Sequence, residues 1–560
     1  MRLVSVRCSA AVVLTALSGS SRAEYDEACG VHFESGQRLT NWSSTHEASP
    51  RRVYEPRSAQ EVVRVLQLHH HTHTKVRPVG TALSPNGIGL SSSSSDNLLS
   101  LTFLDHVEVD VERKLVTVGA GARVSTVLSA LAKHGLTLEN FSSIQEQQLG
   151  GWTQVSAHGT GITLPPVDEM IVRLQLATPT EGLMTMRAGL GGHDDFVFRH
   201  AKVGLGSLGV VTELTLKCIP QLNLHETTTV STREDISQGH AQRLRAHRHV
   251  RYMWLPYTDV VVAVVSSPTQ ERARPFVVSA SDALQQQQQP ATEALCALLH
   301  SLQPNNTTLA SLQSLSFAQL RDRLLDLAPL DDKHIRAVNA AEAIFWRRSC
   351  GTRVDDSTQI LGFDCGGEQL VLEVCFPMAG KTPQSDNEKE KEKEKEKRGD
   401  DSKDPGSLAS GRDLAFVKEL LQIAERHGLP TPCPIEQRWT ARSTAPMSPA
   451  YSPDPAAVFC WVGIIMYLPP EQTSQGRELI RRRFQDYRRS IEPLCEASGA
   501  KAHWAKIEPP DDEQELLRTQ RRLREDFPVH EFNELRDALD PRRILSNKMV
   551  DLLLGKKGKN

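Results

Sequence analysis

Residues 76–90 read VRPVGTALSPNGIGL, a stretch with three glycines, two prolines and a single charged side chain. Glycine has no Cβ, so a glycine-rich loop allows a ligand to approach the backbone closely. Pro-Asn-Gly at residues 85–87 is also typical of an ordinary surface turn. This stretch alone leaves both interpretations open, and the rest of the sequence decides between them.

Two further glycine-rich stretches follow: residues 147–166 read QQLGGWTQVSAHGTGITLPP, and residues 202–216 read KVGLGSLGVVTELTL. Backbone N–H groups in such loops can hold a pyrophosphate without cationic side chains. Residues 204–209 match GxGxxG, but they precede a predicted strand, whereas the Rossmann motif precedes a helix. The three stretches therefore favour a phosphate-binding cradle that is not a Rossmann motif.

Hydrophobic patterning predicts a compact α+β domain over residues 45–220. Ser58 and Glu61 form a capping box before a helix that is expected to end near Leu68. Alternating apolar residues predict strands, and helical periodicity predicts one more helix. These elements are strands at 107–111, 115–118, 172–176 and 214–216 and a helix at 124–132.

A second α+β region runs over residues 221–480. Low-complexity insertions interrupt it at 285–290 and 384–411, and the second contains EKEKEKEKEK flanked by Gly, Pro and Ser. Such composition predicts disordered surface loops without chemistry of their own. Residues 481–560 are predicted to be helical.

Composition and charge exclude several classes of protein. The 560 residues carry a formal net charge of -3, so no basic excess indicates a nucleic-acid partner. No apolar run reaches the roughly 18 residues that a membrane span needs. The ten cysteines contain no CxxC pair, so mostly free thiols are expected. The run HHHTH at residues 69–73 lacks a second ligand group at metal spacing, so it is interpreted as a polar helix end, and no metal is expected.

The first 23 residues combine basic and apolar residues, and no acidic residue precedes Glu24. An apolar core ending in small residues is typical of a secretory signal, whereas arginines and serines without acids are typical of a mitochondrial presequence. Four Asn-x-Ser/Thr sequons are compatible with secretion. They lie at Asn41, Asn140, Asn305 and Asn306. The residues alone leave both targeting interpretations open.

Two C-terminal stretches carry charged side chains in patterns suited to chemistry. PIEQRWTARS at residues 434–443 separates Glu436 and Arg438 by two, which places both on one face of a strand. Such a pair can bind a polyhydroxylated substrate, although an ordinary surface ion pair is the alternative. HWAKIE at residues 503–508 adds Lys506, a pattern that core packing alone also explains.

Over about residues 37–552, apart from the insertions, the chain resembles the aldonolactone oxidoreductases of the vanillyl-alcohol-oxidase flavoprotein superfamily. HWAK is shared with gulonolactone and arabinonolactone oxidases, whereas SPNG and PIEQRWTARS resemble the dehydrogenase branch. The stretches that carry the resemblance are NWSSTHE (41–47), RPVGTALSPNGIGL (77–90), GLTLENFSSIQEQQLGG (135–151), AHGTG (157–161), GLGSLGVV (204–211), LGFDCGG (361–367), PIEQRWTARS (434–443), WVGIIMYLP (461–469), HWAKIE (503–508) and LDPRRILSNKMV (539–550).

The resemblance implies a two-domain α+β flavoprotein with a PCMH-type FAD-binding domain at 45–220 and a cap or substrate domain at 221–480. The segment 481–560 would complete the active site. Leu83 matches the position of a histidine that binds flavin covalently in some relatives, so non-covalent FAD is implied. The cofactor-binding residues implied in this way are Pro78, Gly80, Thr81, Leu83, Ser84, Asn86, Gly87, Gly150, Gly151, His158, Gly159, Thr160, Gly161, Gly209 and Val210.

The implied activity is oxidation of L-galactono-1,4-lactone at C2 to ascorbate, with electrons passed to cytochrome c. By the same resemblance, Glu436 and Arg438 bind and polarise the reacting hydroxyl, and Lys506 stabilises anionic reduced flavin. Ala120 would narrow the access of oxygen to the flavin. A mitochondrial location at the inner membrane or intermembrane space is implied.

Two other functions stay open at this point. The chain could be an aldonolactone or alditol oxidase that returns electrons to oxygen. It could instead be a flavin-containing assembly factor for a respiratory complex, because plant relatives associate with complex I. Intact Glu436, Arg438 and Lys506 favour a retained enzymatic activity.

Overall fold

The computed structural model describes residues 15–16, 23–278, 290–305, 308–363, 366–379 and 410–555. Almost all of the leader and of the two low-complexity insertions lies outside these ranges, so the predictions made for them stay predictions. The predicted domain boundaries likewise stay predictions.

The first half of the chain contains two five-stranded sheets, and helices pack against them around a large hydrophobic core, called the first core below. Its strands are β1 (Thr15–Ala16), β2 (Ala23–Asp26), β3 (Val31–Glu34), β4 (Gln37–Thr40), β5 (Glu47–Ala48), β6 (Arg52–Tyr54), β7 (Val76–Val79), β8 (Asn97–Ser100), β9 (Val107–Asp110), β10 (Leu115–Gly119), β11 (Leu136–Thr137), β12 (Ile171–Thr178), β13 (Gly182–Arg187), β14 (Val210–Lys217) and β15 (Ile219–Pro220). Its helices are α1 (Ala59–Thr72), α2 (Val124–Ala132), α3 (Leu149–Gln154) and α4 (Gly192–Lys202), with a 3-10 turn at Val167–Met170.

One sheet has the strand order β2-β3-β6-β8-β7, and β8 runs parallel to both of its neighbours. The other has the order β13-β12-β14-β10-β9 and is antiparallel throughout. The glycine-rich stretch at 76–90 begins with β7, and the stretch at 202–216 ends within β14. Both therefore begin or end in a buried strand, which fixes their backbones.

Helix α1 shows which local predictions hold. The Ser58 hydroxyl accepts a hydrogen bond from the backbone N–H of Glu61, so the helix begins where the capping signal predicts. It runs one turn beyond Leu68, however, and ends at Thr72, and its C-cap residue His73 has a φ of 55°. His69 lies on the buried face, where burial lowers its pKa to about 4. The histidine run is therefore partly core rather than only a polar helix end.

The second half is built on a nine-stranded antiparallel sheet of order β19-β20-β16-β18-β17-β22-β23-β21-β24. Its strands are β16 (Asn223–Thr232), β17 (His249–Trp254), β18 (Val260–Thr269), β19 (Arg274–Val278), β20 (Gly351–Asp356), β21 (Gln369–Pro377), β22 (Ile435–Ala441), β23 (Val458–Tyr467) and β24 (Lys501–Ala502). Its helices are α5 (Arg233–Ala246), α6 (Glu293–Leu302), α7 (Leu309–Gln313), α8 (Phe317–Leu327), α9 (Asp332–Arg347), α10 (Ser357–Leu361), α11 (Arg412–Arg426) and α12 (Ser474–Ala497).

Helices α5, α11 and α12 cover one face of this sheet and form a second core with it. Alternation along β21 and β22 places Leu372, Val374 and Trp439 in that core. Glu373 and Arg438 consequently point to the opposite face. That face is directed towards the first half of the chain, where the polar groups described below meet.

The end of the chain returns to the first core. Helices α13 (Glu513–Asp526), α14 (Val529–Leu539) and α15 (Lys548–Leu554) contribute buried side chains to it, together with Trp504 and Leu545. The Asn547 amide donates hydrogen bonds to the carbonyls of Gly87, Ile88 and Leu90. The first core is thus assembled from both ends of the sequence.

Two chain-wide predictions can be compared with the described residues. Seven cysteines are buried free thiols, as expected: Cys29, Cys218, Cys296, Cys375, Cys433, Cys460 and Cys495. Among the described helices, none is long and apolar enough to cross a membrane.

Candidate active site

One cavity, called the first cavity below, has about 970 Å³ of free space including its opening to solvent, and all three glycine-rich stretches line it. Of the residues predicted to bind the cofactor, ten line it: Pro78, Gly80, Thr81, Leu83, Ser84, Asn86, Gly150, Gly151, Gly209 and Val210. Ala120 lies in the same wall.

The backbone of this cavity is open to a ligand. A Cβ added at Gly89 or Gly151 would meet no atom within 4 Å, so both backbones face free space. At Gly206 the φ of +60° is one that glycine adopts without strain. Arg77 is the one charged residue in the described lining, so the cavity offers mainly backbone N–H groups. These features fit a flavin dinucleotide whose pyrophosphate is bound by backbone amides.

Arg77 holds the cavity's loops together. Its guanidinium is fully buried and donates hydrogen bonds to the carbonyls of Leu205, Gly206, Ile88 and Leu545 at 2.7–2.9 Å. Burial lowers the pKa of Arg77 to about 9. The side chain therefore ties two glycine-rich stretches to the C-terminal segment.

Asn86 connects the cofactor loop to the HWAKIE stretch. Its side-chain amide donates to the carbonyls of Trp504 and Ile507, both at 2.8 Å. Lys506 lies between these two acceptors in the sequence. Gly87, also predicted to bind the cofactor, is outside the cavity lining, and a Cβ there would lie 2.9 Å from the His46 ring.

A second cavity of about 440 Å³ lies between the AHGTG loop and the nine-stranded sheet. Gly159 and Thr160 line it from the loop, and Arg251 and Arg438 line it from the sheet. The Thr160 hydroxyl donates to the carbonyl of Val250 at 2.5 Å. Apolar side chains make up much of its lining, while Thr160, Arg251 and Arg438 supply hydrogen-bonding groups that suit a small hydroxylated ligand.

The AHGTG loop is separate from the lining of the first cavity, so its predicted role in cofactor binding stays a prediction. His158, Gly159, Thr160 and Gly161 do not line the first cavity. The backbone N–H of Gly161 donates to the carbonyl of Trp439 at 2.6 Å, which ties the loop to the sheet. The loop therefore lies at the junction of the two halves, where it lines the second cavity.

Glu436 and Arg438 share one face of β22, as their spacing predicts. Arg438 Nη2 lies 3.3 Å from Glu436 Oε2, and Arg251 Nη1 lies 3.7 Å from Glu436 Oε1. Arg251 is the register partner of Arg438 on β17. The pair is mostly buried, so it is not the ordinary surface ion pair that the sequence left open.

Glu373 on β21 joins this pair to Lys506. Its carboxylate accepts from Arg438 Nη2 at 2.8 Å and from the Lys506 ammonium. His158 Nε2 lies 3.3 Å from the same carboxylate, and the His158 ring stacks on Trp461 with centroids 3.7 Å apart. The structure therefore brings the three predicted catalytic residues into one cluster around a carboxylate that the sequence analysis did not select.

Charge states follow from burial and pairing. Burial opposes ionisation of Glu373, but the positive charges of Lys506 and Arg438 hold its pKa well below the usual range. Burial lowers the pKa of His158, and it lowers that of His503 further with the help of the Lys506 charge. At neutral pH the carboxylate is ionised and both rings are neutral.

Within the described ranges, one group of side chains has metal-ligand spacing: His158, Glu373 and His503. Both oxygens of Glu373 already contact cationic groups, Arg438 and Lys506. A metal ion there would have to displace those cations, so the cluster is better described as an ion-pair network.

Three comparisons with known proteins relate this architecture to others. The sequence pattern of the family described as FAD binding domain matches residues 50–187, and that described as D-arabinono-1,4-lactone oxidase matches residues 214–383 and 410–553. The mitochondrial L-galactono-1,4-lactone dehydrogenase of Arabidopsis thaliana is 41% identical over 92% of this chain and 81% of its own length. The L-gulonolactone oxidase of Mus musculus is 25% identical over 93% of this chain and 99% of its own.

Among solved structures, cholesterol oxidase from B. sterolicum superimposes with a TM-score of 0.66 at 15% identity, covering 96% of this chain and 100% of that one. At that identity the likeness shows the fold alone. The matched FAD-binding domain and the 41% identical relative define an FAD-dependent oxidoreductase. The chain belongs to the aldonolactone oxidoreductase family, which includes the plant L-galactono-1,4-lactone dehydrogenases.

Proposed function

We propose that this enzyme oxidises L-galactono-1,4-lactone at C2 to ascorbate and passes the electrons to cytochrome c. The observation that carries the proposal is the cluster of Glu436, Arg438 and Lys506 beside a 440 Å³ cavity. The names of its 40–41% identical relatives support the choice of lactone. The acceptor is proposed from the family resemblance.

The residues of the cluster suit a substrate with adjacent hydroxyl and carbonyl oxygens. Glu436 accepts hydrogen bonds from hydroxyl groups, whereas Arg438 donates to oxygen atoms. As C2 is oxidised, its hydroxyl loses a proton and its oxygen becomes a carbonyl. The charges of Arg438 and Lys506 stabilise negative charge that develops on oxygen during this change. Bound FAD would supply the acceptor of the hydride from C2.

One assay tests this function. Purified holoenzyme is given L-galactono-1,4-lactone, and ascorbate formation, cytochrome c reduction and oxygen uptake are followed together. We expect ascorbate formation coupled to cytochrome c reduction with little oxygen uptake. Coupling to oxygen would favour the oxidase alternative. If the protein folds and binds flavin but no aldonolactone reduces that flavin, the result would favour the assembly-factor alternative. In that alternative the protein would associate with complex I.

We expect FAD to be bound without a covalent bond. Leu83 is the cavity residue at the position of the covalent histidine, and the described lining contains no histidine, cysteine or tyrosine. Acid precipitation of the holoenzyme should release the yellow flavin into the supernatant. Flavin that remains in the washed pellet would contradict this prediction.

Gly151→Ala should weaken FAD binding without destabilising the apoprotein. Gly151 lies in α3 and faces the cavity, so an added methyl group would enter the space that the cofactor needs. We expect a loss of about 1–3 kcal/mol, hence roughly 5–150-fold in Kd. Alanine also favours a helix over glycine, so the melting temperature of the apoprotein should not fall.

Gly367→Ala is the matched control for this variant, because a Cβ there also meets nothing within 4 Å but lies outside both cavities. Its FAD affinity should equal that of the unmodified protein. Equal FAD affinity for Gly151→Ala and Gly367→Ala would remove Gly151 from the cofactor site.

We propose a location in mitochondria, facing the intermembrane space, where cytochrome c is available. The relatives' names support mitochondria. Two of the four sequons are buried in the fold, at Asn41 and Asn140, so they argue little for secretion. Asn305 is exposed. We expect the native protein to keep its mass after glycosidase treatment; a loss of mass would indicate secretion.

A further inference from the structure

Glu373 is the one acidic residue on β21, in the sequence QLVLEVCFP. Its side chain is 2% exposed, and its neighbours on the strand are apolar or buried. A carboxylate in such a place lowers stability unless charged or hydrogen-bonding partners compensate for its lost hydration. Here the partners are Arg438 and Lys506, the two cationic groups that the proposed reaction uses.

We infer that Glu373 is a positioning residue, which holds Arg438 and Lys506 in the places where they act on the lactone. This inference rests on the proposed function and adds a role for a residue that the spacing of Glu436 and Arg438 does not indicate. Arg438 comes from β22 and Lys506 from the 503–508 loop, so no local structure fixes their separation. The carboxylate of Glu373, which contacts both, fixes this separation.

Sheet register explains how Arg438 reaches Glu373. Gly463 on β23 is the register partner of both Glu373 on β21 and Glu436 on β22. A Cβ at Gly463 would lie 3.8 Å from Glu373 Oε1 and 3.8 Å from Glu436 Cβ, so this row has open space between the two carboxylates. Arg438 Nη2 contacts both carboxylates, at 2.8 Å and 3.3 Å.

The charge balance gives Glu373 a second effect. Arg251, Arg438 and Lys506 contribute three positive charges to the cluster, and Glu373 and Glu436 contribute two negative charges. His158 and His503 add none at neutral pH. One excess positive charge suits the negative charge that develops on a reacting oxygen. Loss of the Glu373 charge would leave two excess positive charges and free Lys506 from its anchor.

The experiment compares Glu373→Gln with Glu342→Gln in the holoenzyme. Glu342 lies on α9, is 1% exposed and lines neither cavity, so it matches Glu373 in burial but not in place. Anaerobic mixing with L-galactono-1,4-lactone gives the rate of flavin reduction from its absorbance. We expect Glu373→Gln to lower this rate about 10²-fold with normal FAD content, and Glu342→Gln to lower it less than threefold. Glu373→Asp, which keeps the charge, should restore part of the rate.

A double-mutant cycle and a crystal structure complete the test. Once Lys506→Met has removed the ammonium, Glu373→Gln should lower the rate less than it does alone, because the two changes disturb one interaction. In the crystal structure of the Glu373→Gln enzyme, Lys506 Nζ should move away from its position beside residue 373. A near-normal rate of flavin reduction in the Glu373→Gln enzyme would overturn the inference. So would a variant crystal structure in which Arg438 and Lys506 keep their positions. If no aldonolactone reduces the flavin of the unmodified enzyme, the proposed function is wrong. The crystal structure of Glu373→Gln then still decides whether Glu373 positions Arg438 and Lys506.

Discussion

Arg438→Ala should lower kcat/KM for L-galactono-1,4-lactone by about 10²–10³-fold, which corresponds to about 3–4 kcal/mol of transition-state stabilisation. The guanidinium lines the second cavity and contacts two carboxylates, Glu373 and Glu436. Alanine removes a charged donor from the reacting oxygen and leaves both carboxylates with one partner fewer. Because Arg438 does not line the first cavity, FAD content should be unchanged. Steady-state kinetics with cytochrome c, normalised to bound flavin, measure the effect.

Arg442→Ala provides the matched control. Arg442 follows the same strand, donates to the carbonyl of Ser452 and lines neither cavity. It should retain kcat/KM within about threefold. An Arg438→Ala enzyme with near-normal kcat would exclude Arg438 from the reaction, and a fall of equal size in both variants would indicate general loss of structure.

Ala120→Gly should raise the rate at which oxygen reoxidises the reduced flavin by about tenfold or more, equivalent to at least about 1.4 kcal/mol in the barrier. Ala120 is 1% exposed and forms part of the cofactor cavity wall. Its methyl group packs against α3, since a Cβ built on Gly150 would lie 3.0 Å from Ala120 Cβ. Protein interiors are packed so closely that removal of one methyl group opens a passage for a small molecule. Stopped-flow mixing of the lactone-reduced enzyme with aerated buffer gives the rate.

Ala122→Gly separates this effect from simple destabilisation. Ala122 is equally buried, lies two residues further along the chain and does not line the cavity. Both variants should lose similar stability, but only Ala120→Gly should gain oxygen reactivity while cytochrome c reduction persists. Equal reoxidation rates in the two variants would show that Ala120 only packs the core. Fast reoxidation of the unmodified enzyme would mean that it is an oxidase.

Local sequence indicated a phosphate-binding cradle and placed Glu436 and Arg438 on one face of a strand, but it left a surface turn and a surface ion pair open as alternatives. Glycine content sets how closely a backbone can be approached, and a two-residue spacing on a strand sets the face of both side chains. Both properties depend on only a few neighbouring residues, so they can be predicted without knowledge of the tertiary fold.

Features that depend on strand order were not accessible in the same way. Glu373 is 65 residues from Arg438 in the sequence, and they meet because β23 lies between β21 and β22. The single acidic residue in the apolar strand sequence VLEVCF was the available signal, since buried carboxylates are rare without a partner. The position of Gly159 and Thr160 in the second cavity likewise depends on the sheet that packs against their loop.

The return of the chain's end to the first core has a consequence during protein synthesis. Every described residue that lines the cofactor cavity precedes residue 212, but Arg77 and the 87–90 backbone hydrogen-bond to Leu545 and Asn547. A chain emerging from the ribosome therefore lacks these acceptors and donors until nearly all of it has been made. We expect FAD to be captured only after translation ends, and a premature stop shortly before Leu545 to abolish flavin binding although the cavity's own residues are all present.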